Sequence, residues 1–553
     1  MYNISIIYLN IGKTLNILSK DAPLEVSIKK MKKILEDVGC ETKISDGQHP
    51  LQNCYSLNLG STEAPNHIYS NGKGTLKDSA MASAYGEYIE RLQTNLFFSD
   101  FYLPSKKHFP DEVAFELDGD FLDAELLDIY DPNGELTRED FIDFNSEYKD
   151  KVISLPFKKL STKEKVYFPI NLLHNLYVSN GLAAGNTPKE AQVQALSEIY
   201  ERYAKFEIIK KGYSLPKFPQ SIIAPFVKLN EDILALRALG YIVEVFDASL
   251  GGMFPVTAIS LINPKNSTLF VSFGSHPILE VSLERTMTEL MQGRSLDCLD
   301  DFETPTFDMS VVSDSFNLES HFVDSNAKLG FGFLSSKNSF EFSPWKYDAK
   351  LDELEFLTDI AKEMGKEIYL REYDYLGFYS CQMLIPSISE VYPIEDLVYN
   401  NKNSAKAIRD MILNFDDYDA EDILDAIISL DDSLNMEKYI GVIFRENFTM
   451  AEFKAHLYLI LDERDAALEF LQFSVKKDAK VISELICMEE EGLDYEEYKE
   501  ALFNVFSKER VERAQRVLSK EETFVELILH DYYHNMLEMY DKLEKKKAQG
   551  MKI

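Results

Sequence analysis

The chain has 553 residues, 45% of them hydrophobic, with 36 Phe and 30 Tyr. That length and composition exclude a disordered polymer and predict about two to four packed units. A formal net charge of −35 disfavours non-specific contact with nucleic acid, where binding depends on Lys and Arg at the phosphates; it is compatible with a basic protein or peptide partner drawn by long-range attraction, and equally with an acidic surface that serves solubility. Cys40, Cys54, Cys298, Cys381 and Cys487 are scattered without a C-x-x-C, so neither a disulfide framework nor a zinc site is expected, and a reducing cytoplasm fits.

In chain order, the first segment is apolar at Ile4-Ser5-Ile6-Ile7-Tyr8-Leu9. No basic stretch precedes it and no clear small-residue cleavage site comes after it, so no signal peptide is expected. No window approaches the apolar length of a membrane span, and no membrane association is expected. Asp21 predicts the N-cap of a helix running to Val38, with Ile28, Met31, Ile34 and Leu35 on its apolar stripe and Gly39 at its end. Residues 40–58 read as extended segments with turns. Ser70-Asn71-Gly72-Lys73-Gly74 predicts a turn-forming loop, and a long helix over residues 78–98 comes next, carrying Glu87-x-x-Glu90-Arg91.

Residues 104–165 are rich in Asp, Glu, Pro and Phe with weak periodicity and read as an insertion or a partly irregular segment. Residues 166–176 predict a strand. A second copy of the earlier plan then appears: Ser179-Asn180-Gly181, Gly185-Asn186, and a helix start at Thr187-Pro188-x-Glu190 that continues to Lys211 and carries Glu198-x-x-Glu201-Arg202. Residues 232–239 predict a helix, and 241–246, 254–261 and 270–273 predict strands. Gly274-Ser275-His276-Pro277 leads into a helix with Glu284-Arg285, Glu289, Gln292 and Arg294, a looser third echo of the plan. Residues 351–364 predict a helix, and 367–373 and 379–383 strands. These alternations make residues 1–414 a mixed α+β unit. Beyond about residue 415 the pattern is almost wholly helical, giving a second unit over 415–553. There Ala466-Ala467-Leu468-Glu469-Phe470-Leu471 resembles the second helix of a tetratricopeptide unit, and stacked short helices predict a partner-binding surface.

Positions i and i+3 share a helix face, so each copy presents two carboxylates side by side. An isolated Glu-x-x-Glu-Arg is ordinarily a solvated face with intrahelical ion pairs; surface charge has no reason to repeat the preceding loop as well. Four carboxylates around one cavity repel unless positive charge sits between them. Mg²⁺ fits that need, since it is held by a few carboxylates together with nucleotide phosphates. The glycines before each helix serve either tight turns or a phosphate cradle, and no G-x-x-x-x-G-K-[ST] is present. Arg285 and Glu289 taken alone are an ordinary helix pair. His530 and His534, four apart, read as a surface pair without a third ligand. No serine or cysteine occupies a nucleophile motif, so no catalytic residue is assigned.

Three blocks carry a family resemblance: Asn71-Gly72-Lys73-Gly74 with Ala82-Ser83-Ala84-x-Gly86-Glu87-Tyr88-x-Glu90-Arg91; Tyr177-Val178-Ser179-Asn180-Gly181 with Gln194-x-Leu196-Ser197-Glu198-x-x-Glu201-Arg202-Tyr203; and Leu283-Glu284-Arg285-Thr286-x-Thr288-Glu289-Leu290-x-Gln292-Gly293-Arg294. In this order they resemble the YcaO family over essentially the whole chain, and most nearly the bacterial members with an extra helical C-terminal domain. The resemblance implies an α+β ATP-binding fold without a Walker motif, followed by an all-α, tetratricopeptide-like domain. It implies that Glu87, Glu90, Glu198 and Glu201 hold Mg²⁺ against the triphosphate of ATP. Ser83, Gln194, Arg285 and Glu289 are implied as further nucleotide or metal contacts, and Lys20 and Ser27 as N-terminal nucleotide contacts.

The family chemistry so implied is ATP-driven activation of a peptide amide, through phosphoryl transfer to its oxygen. The branch resembled is associated with β-methylthiolation of a small-subunit ribosomal protein, as an accessory factor. The implied partners are therefore a peptide or ribosomal protein substrate and a methylthiotransferase, with a homodimer among the expected assemblies. The alternative is a nucleotide-binding scaffold that recruits a modifying enzyme without turnover of its own. One departure stands out. Many azoline-forming members end in Pro-x-Pro-x-Pro, whereas this chain ends Lys545-Lys546-Lys547-Ala548-Gln549-Gly550-Met551-Lys552-Ile553, which argues against cyclodehydration of a natural-product precursor.

Overall fold

The computed structural model describes residues 17–323, 326–399 and 403–550; the apolar patch at Ile4 to Leu9 lies outside them. Among the described residues, three antiparallel sheets carry the α+β part. The first is β1 (Thr42–Leu51), β2 (Cys54–Ser61) and β3 (Tyr69–Gly74), in that order. The largest combines β4 (Val113–Glu116), β5 (Lys151–Lys159), β6 (Lys165–Pro169) and β7 (Leu182–Gly185) with β11 (Tyr369–Tyr373) and β12 (Tyr379–Leu384). Its order is β4-β5-β11-β12-β7, with β6 also paired to β5. The third, inserted in sequence between β7 and β11, is β8 (Ile242–Asp247), β9 (Val256–Asn263) and β10 (Thr268–Ser275).

Four helices carry the charged motifs and the N-terminal segment: α1 (Leu24–Asp37), α2 (Lys77–Gln93), α3 (Pro188–Lys211) and α4 (Leu279–Leu290). α2, α3 and α4 each come directly after a strand and fold back on it: α2 on β3, α3 on β7, α4 on β10. A glycine on each strand permits the crossing. A Cβ on Gly72 would lie 2.0 Å from the Ala80 carbonyl oxygen, one on Gly185 2.7 Å from the Ala191 nitrogen, and one on Gly274 2.6 Å from the Thr286 nitrogen. α3 also packs on β10 and α4 also packs on β3, so each of these two helices touches two sheets. The three helices are thereby drawn round one space.

This changes the meaning of the first Ser-Asn-Gly. Ser70, Asn71 and Gly72 are not a turn; they pair in register with Leu59, Asn58 and Leu57 of β2, and their glycine serves helix approach. In the second copy Ser179 and Asn180 do form a turn, with Gly181 at φ +80° and no room for a side chain beside the Met383 carbonyl. Asp21 is not a helix cap. Pro23 holds that position, while the Asp21 amide donates to Glu190 at 3.0 Å and its carboxylate accepts from the Thr187 hydroxyl. Thr187 itself caps α3 as expected, accepting from the Glu190 amide. The strand expected over 166–176 stops at Pro169, and helical turns continue through Tyr177. The 104–165 stretch holds β4, a helix at Ala124–Tyr130 and β5. β5 is buried on both faces along most of its length, which removes the alternation a half-exposed strand would show.

A shorter helix, α5 (Ser315–Val323), lies between the third sheet and β11 in sequence. From Ala405–Leu413 onward the described chain is helical, ending in α6 (Asp531–Gly550). These C-terminal helices share a core with the first sheet and α2. Tyr540 meets Phe98 edge to face at 4.9 Å. Lys547, on the same helix, is buried. Its ammonium donates to Asn95 Oδ1 at 2.7 Å and to the His108 carbonyl at 2.8 Å, over the rings of Phe109 and Tyr540 at 4.5 Å each. Burial pushes its pKa down to about 7, partly opposed by Glu544 and Glu112. The unfolded chain binds this proton up to about 10.5, so between these values the unfolded state holds more protons and folding gains stability as pH rises. Against a Lys547→Met variant, the native chain is expected to gain stability steadily from pH 7 to pH 10 in denaturant titrations. A difference that stays flat over that range would contradict a depressed lysine pKa.

Candidate functional site

α2, α3 and α4 enclose a cavity of about 380 Å³. All ten residues expected from the sequence line it: Glu87, Glu90 and Ser83 from α2; Glu198, Glu201 and Gln194 from α3; Arg285 and Glu289 from α4; and Lys20 and Ser27 from the N-terminal segment and α1. The helical spacing explains the convergence. Ser83, Glu87 and Glu90 recur at four and three residues on one face of α2, as do Gln194, Glu198 and Glu201 on α3.

The intrahelical pairs expected of a charged helix are present, but they face the cavity. Arg91 Nη2 lies 3.4 Å from Glu87 and Arg202 Nη1 lies 2.9 Å from Glu198. Glu90 is 9% exposed, with Arg91 Nη1 at 3.8 Å, an ion pair too long for a hydrogen bond. Burial raises the Glu90 carboxyl to about 8, against the pull of Arg91 and with the charges of Glu198 and Glu87 adding to the rise. Burial likewise raises Glu201, opposed by Lys73 and reinforced by Glu198. Glu201 accepts the Ser275 amide at 3.1 Å, so the end of β10 holds the carboxylate of α3 in place.

Two cations link separate elements of the α+β unit. Lys73 of β3 pairs with Glu289 of α4, and its ammonium is disfavoured by burial while Glu201, Glu87 and Glu198 favour it. Arg285 donates to the Ser275 carbonyl at 2.9 Å and to the side-chain oxygen of Gln194. On the far side, Ser27 Oγ donates to Asn186 Oδ1 at 2.7 Å, and Lys20 pairs with Glu190 at 3.2 Å. The N-terminal segment is thus strapped to the loop and first turn of the second repeat.

Among the described residues, no three acidic, histidine or cysteine side chains stand close enough to cage a metal unaided. Arginine and lysine separate the carboxylates instead. This donor set fits Mg²⁺ carried by a polyphosphate better than a bare ion. Mg²⁺ commonly takes one or two carboxylates and completes its shell with water and phosphate oxygens, and the interleaved cations match phosphate charge. Arg91 Nη1, Gln292 Oε1 and Ser275 Oγ are buried without hydrogen-bond partners; Arg91 and Gln292 line the cavity and supply capacity for a polar ligand.

Several lining residues carry no distinguishing signal in the sequence. Asn186 and Glu190 are legible there only as part of a loop and a helix start. Lys205 lines the cavity and lies four residues after Glu201, a spacing that places it on the same face. Its pKa is lowered to about 8 by burial, and it donates to the His321 carbonyl at 2.6 Å. The His530–His534 pair lies elsewhere, with His530 Nδ1 accepting the Tyr532 amide at 2.9 Å. All five cysteines are free, and among the described residues no helix is long and apolar enough to cross a membrane.

A family model described as YcaO cyclodehydratase, ATP- and Mg²⁺-binding, matches residues 71–389. A Haemophilus influenzae protein of uncharacterised function is 35% identical over 582 residues, covering 97% of this chain and 99% of that relative. The Escherichia coli ribosomal protein S12 methylthiotransferase accessory factor YcaO is 35% identical over 575 residues, covering 96% and 98%. Among solved structures, the Methanopyrus kandleri YcaO bound with AMPPCP and Mg²⁺ is 16% identical, with a TM-score of 0.41 over 66% of this chain and 91% of that one.

Proposed function

The chain belongs to the YcaO family, and on that premise we propose that its cavity binds Mg²⁺–ATP in support of β-methylthiolation of a small-subunit ribosomal protein. The observation that carries this reading is the meeting of two Glu-x-x-Glu-Arg faces, from separate repeats, inside one cavity. The accessory role is supported by the name of the E. coli relative, with which this chain aligns almost end to end.

In this reading Glu87, Glu90, Glu198 and Glu201 hold the metal, while Lys73 and Arg285 neutralise phosphate oxygens. Arg91 and Arg202 orient the carboxylates beside them, and the Ser275 amide fixes Glu201. Ser83 and Gln194 contact the nucleotide, and Lys20 and Ser27 close the strap over it. Bound Mg²⁺–ATP supplies an electrophilic phosphoryl group for a peptide amide oxygen. The residues bring the reactants together and keep the charges matched, the main demand of phosphoryl transfer.

A calorimetric titration of the intact chain with ATP tests this first. Saturable binding is expected with Mg²⁺ and its loss with excess EDTA; equal affinity in both would rule out a metal-bridged nucleotide. Mass spectrometry of ribosomal proteins from a deletion strain tests the biological assignment: the methylthio group should disappear from one small-subunit protein, and an unchanged pattern would refute it.

A second reading, a nucleotide-binding scaffold, is favoured by the C-terminal helices. The Met450–Leu461 and Arg464–Leu471 helices pack as a pair, as do Lys477–Glu490 and Lys508–Leu518. The segment between the pairs exposes Phe473 and Val475. We infer a tetratricopeptide-like surface for a methylthiotransferase partner. Phosphate release by the full chain separates the readings: stimulation by a peptide or ribosomal protein supports an enzyme, and partner binding with no release supports the scaffold.

A further inference from the structure

Residues 295–323 contain seven carboxylates, Asp297, Asp300, Asp301, Glu303, Asp308, Asp314 and Glu319, and no lysine or arginine. The same stretch carries some of the most exposed large apolar side chains of the protein: Phe307 at 82%, Phe316 at 75%, Val323 at 68% and Val311 at 41%. Exposed apolar residues are ordinary when scattered; gathered in one short segment they mark a surface that meets something else. The segment is locally built. Asp308 caps the short helix Met309–Val312, Asn317 donates to the Val312 carbonyl at 2.9 Å, and Phe307 stacks on Phe331 at 4.5 Å.

Its far end is part of the cavity wall. Phe322 of α5 lines the cavity, with the Arg202 guanidinium 4.7 Å from its ring centroid. Lys205 of α3 holds the neighbouring His321 carbonyl. Thus α5 is fastened to the helix bearing Glu198 and Glu201, and it turns Phe316 and Val323 outward. Glu319, on α5, is pushed up by burial and by the nearby Asp396.

We propose that this acidic, apolar segment, which adjoins the cavity through Phe322, docks a basic polypeptide carrying apolar side chains, and so presents an amide of that polypeptide to the site. The proposal rests on the reading of the cavity as one that acts on a polypeptide. Carboxylates set among exposed Phe and Val, in a segment without lysine or arginine, select a partner with Lys or Arg interspersed with apolar residues. A purely basic chain would leave Phe307, Phe316 and Val323 in water; a purely apolar one would leave the carboxylates without counter-charge.

The test uses the full chain and a short fluorescently labelled peptide of Lys and Arg interspersed with Leu and Phe, monitored by anisotropy. Two control peptides replace either the basic residues by Glu or the apolar residues by Ser. Binding is expected for the first peptide alone. It should weaken at least about tenfold, the equivalent of about 1.4 kcal/mol, in a Phe316→Ser/Val323→Ser chain and in an Asp301→Lys/Glu303→Lys chain. These positions are exposed, so both variants should fold. Unchanged affinity in both variants would overturn the proposal. So would equal binding of the serine control, which would mean bulk charge attraction. A Glu198→Ala chain should keep the peptide while losing the nucleotide. Peptide binding by an unsubstituted chain that itself fails to bind Mg²⁺–ATP would uphold the docking face and reject the nucleotide reading.

Discussion

Glu198→Ala is expected to weaken Mg²⁺-dependent ATP binding by at least about 100-fold and to leave the fold intact. Loss of groups that merely support a metal ligand costs about 10- to 100-fold in metal affinity, so loss of a ligand itself should cost no less. The structural cost is small. The Glu198–Arg202 contact is an i,i+4 helix pair at 2.9 Å with both side chains partly exposed to the cavity, worth about 0.3–0.5 kcal/mol. Glu87→Ala, from the opposite helix, should match it, because both repeats supply ligands. Glu207→Ala serves as control: it lies on the same helix and pairs with Lys211, outside the cavity lining. Calorimetry with unchanged ATP affinity in both Glu198→Ala and Glu87→Ala would exclude the four-carboxylate site.

Gly72→Ala is expected to destabilise the chain strongly and to disturb the site with it. Its Cβ would sit 2.0 Å from the Ala80 carbonyl and 2.7 Å from the Ala84 Cβ, and neither neighbour is the end of a flexible side chain. α2 must move off β3, at a cost of about 3 kcal/mol. Because Glu87 and Glu90 ride on α2, their approach to Glu198 and Glu201 should be lost with it. Stability in denaturant titration and ATP binding should therefore fall together. Gly47→Ala, with nothing within 4 Å of the new Cβ, should change stability by no more than about 0.5 kcal/mol. A Gly72→Ala chain as stable as the native one would show that this crossing does not set the position of α2.

What the sequence reveals of the site is its periodic part. Glu87 with Glu90 and Glu198 with Glu201 can be paired because helical spacing is local, and Thr187-Pro188 announces α3 for the same reason. What it conceals depends on contacts between distant segments. Ser70-Asn71-Gly72 has the composition of a turn, yet ladder pairing with β2 and the need for a bare Cα under α2 make it a strand. Asp21 has the composition of a cap, yet it serves the Thr187 and Glu190 end of another helix. Lys73 stands inside the motif, but its pairing with Glu289 requires β3 and α4 to meet. Lys547 sits in a run of three lysines with nothing local to mark it as buried; α6 turns it into a core shared with Asn95 and Phe109. The 295–323 stretch is inconspicuous because its acids blend into a chain that is acidic throughout, and only the exposure of its apolar side chains sets it apart.

If the acidic faces of α2 and α3 share metal ions bridged by a triphosphate, crystals grown with Mn²⁺ and a non-hydrolysable ATP analogue, measured at the manganese edge, should show it most directly. Anomalous peaks are expected inside the cavity, between the Glu87–Glu90 face and the Glu198–Glu201 face. Peaks confined to the outer surface, with the analogue bound elsewhere or not at all, would contradict a shared metal site.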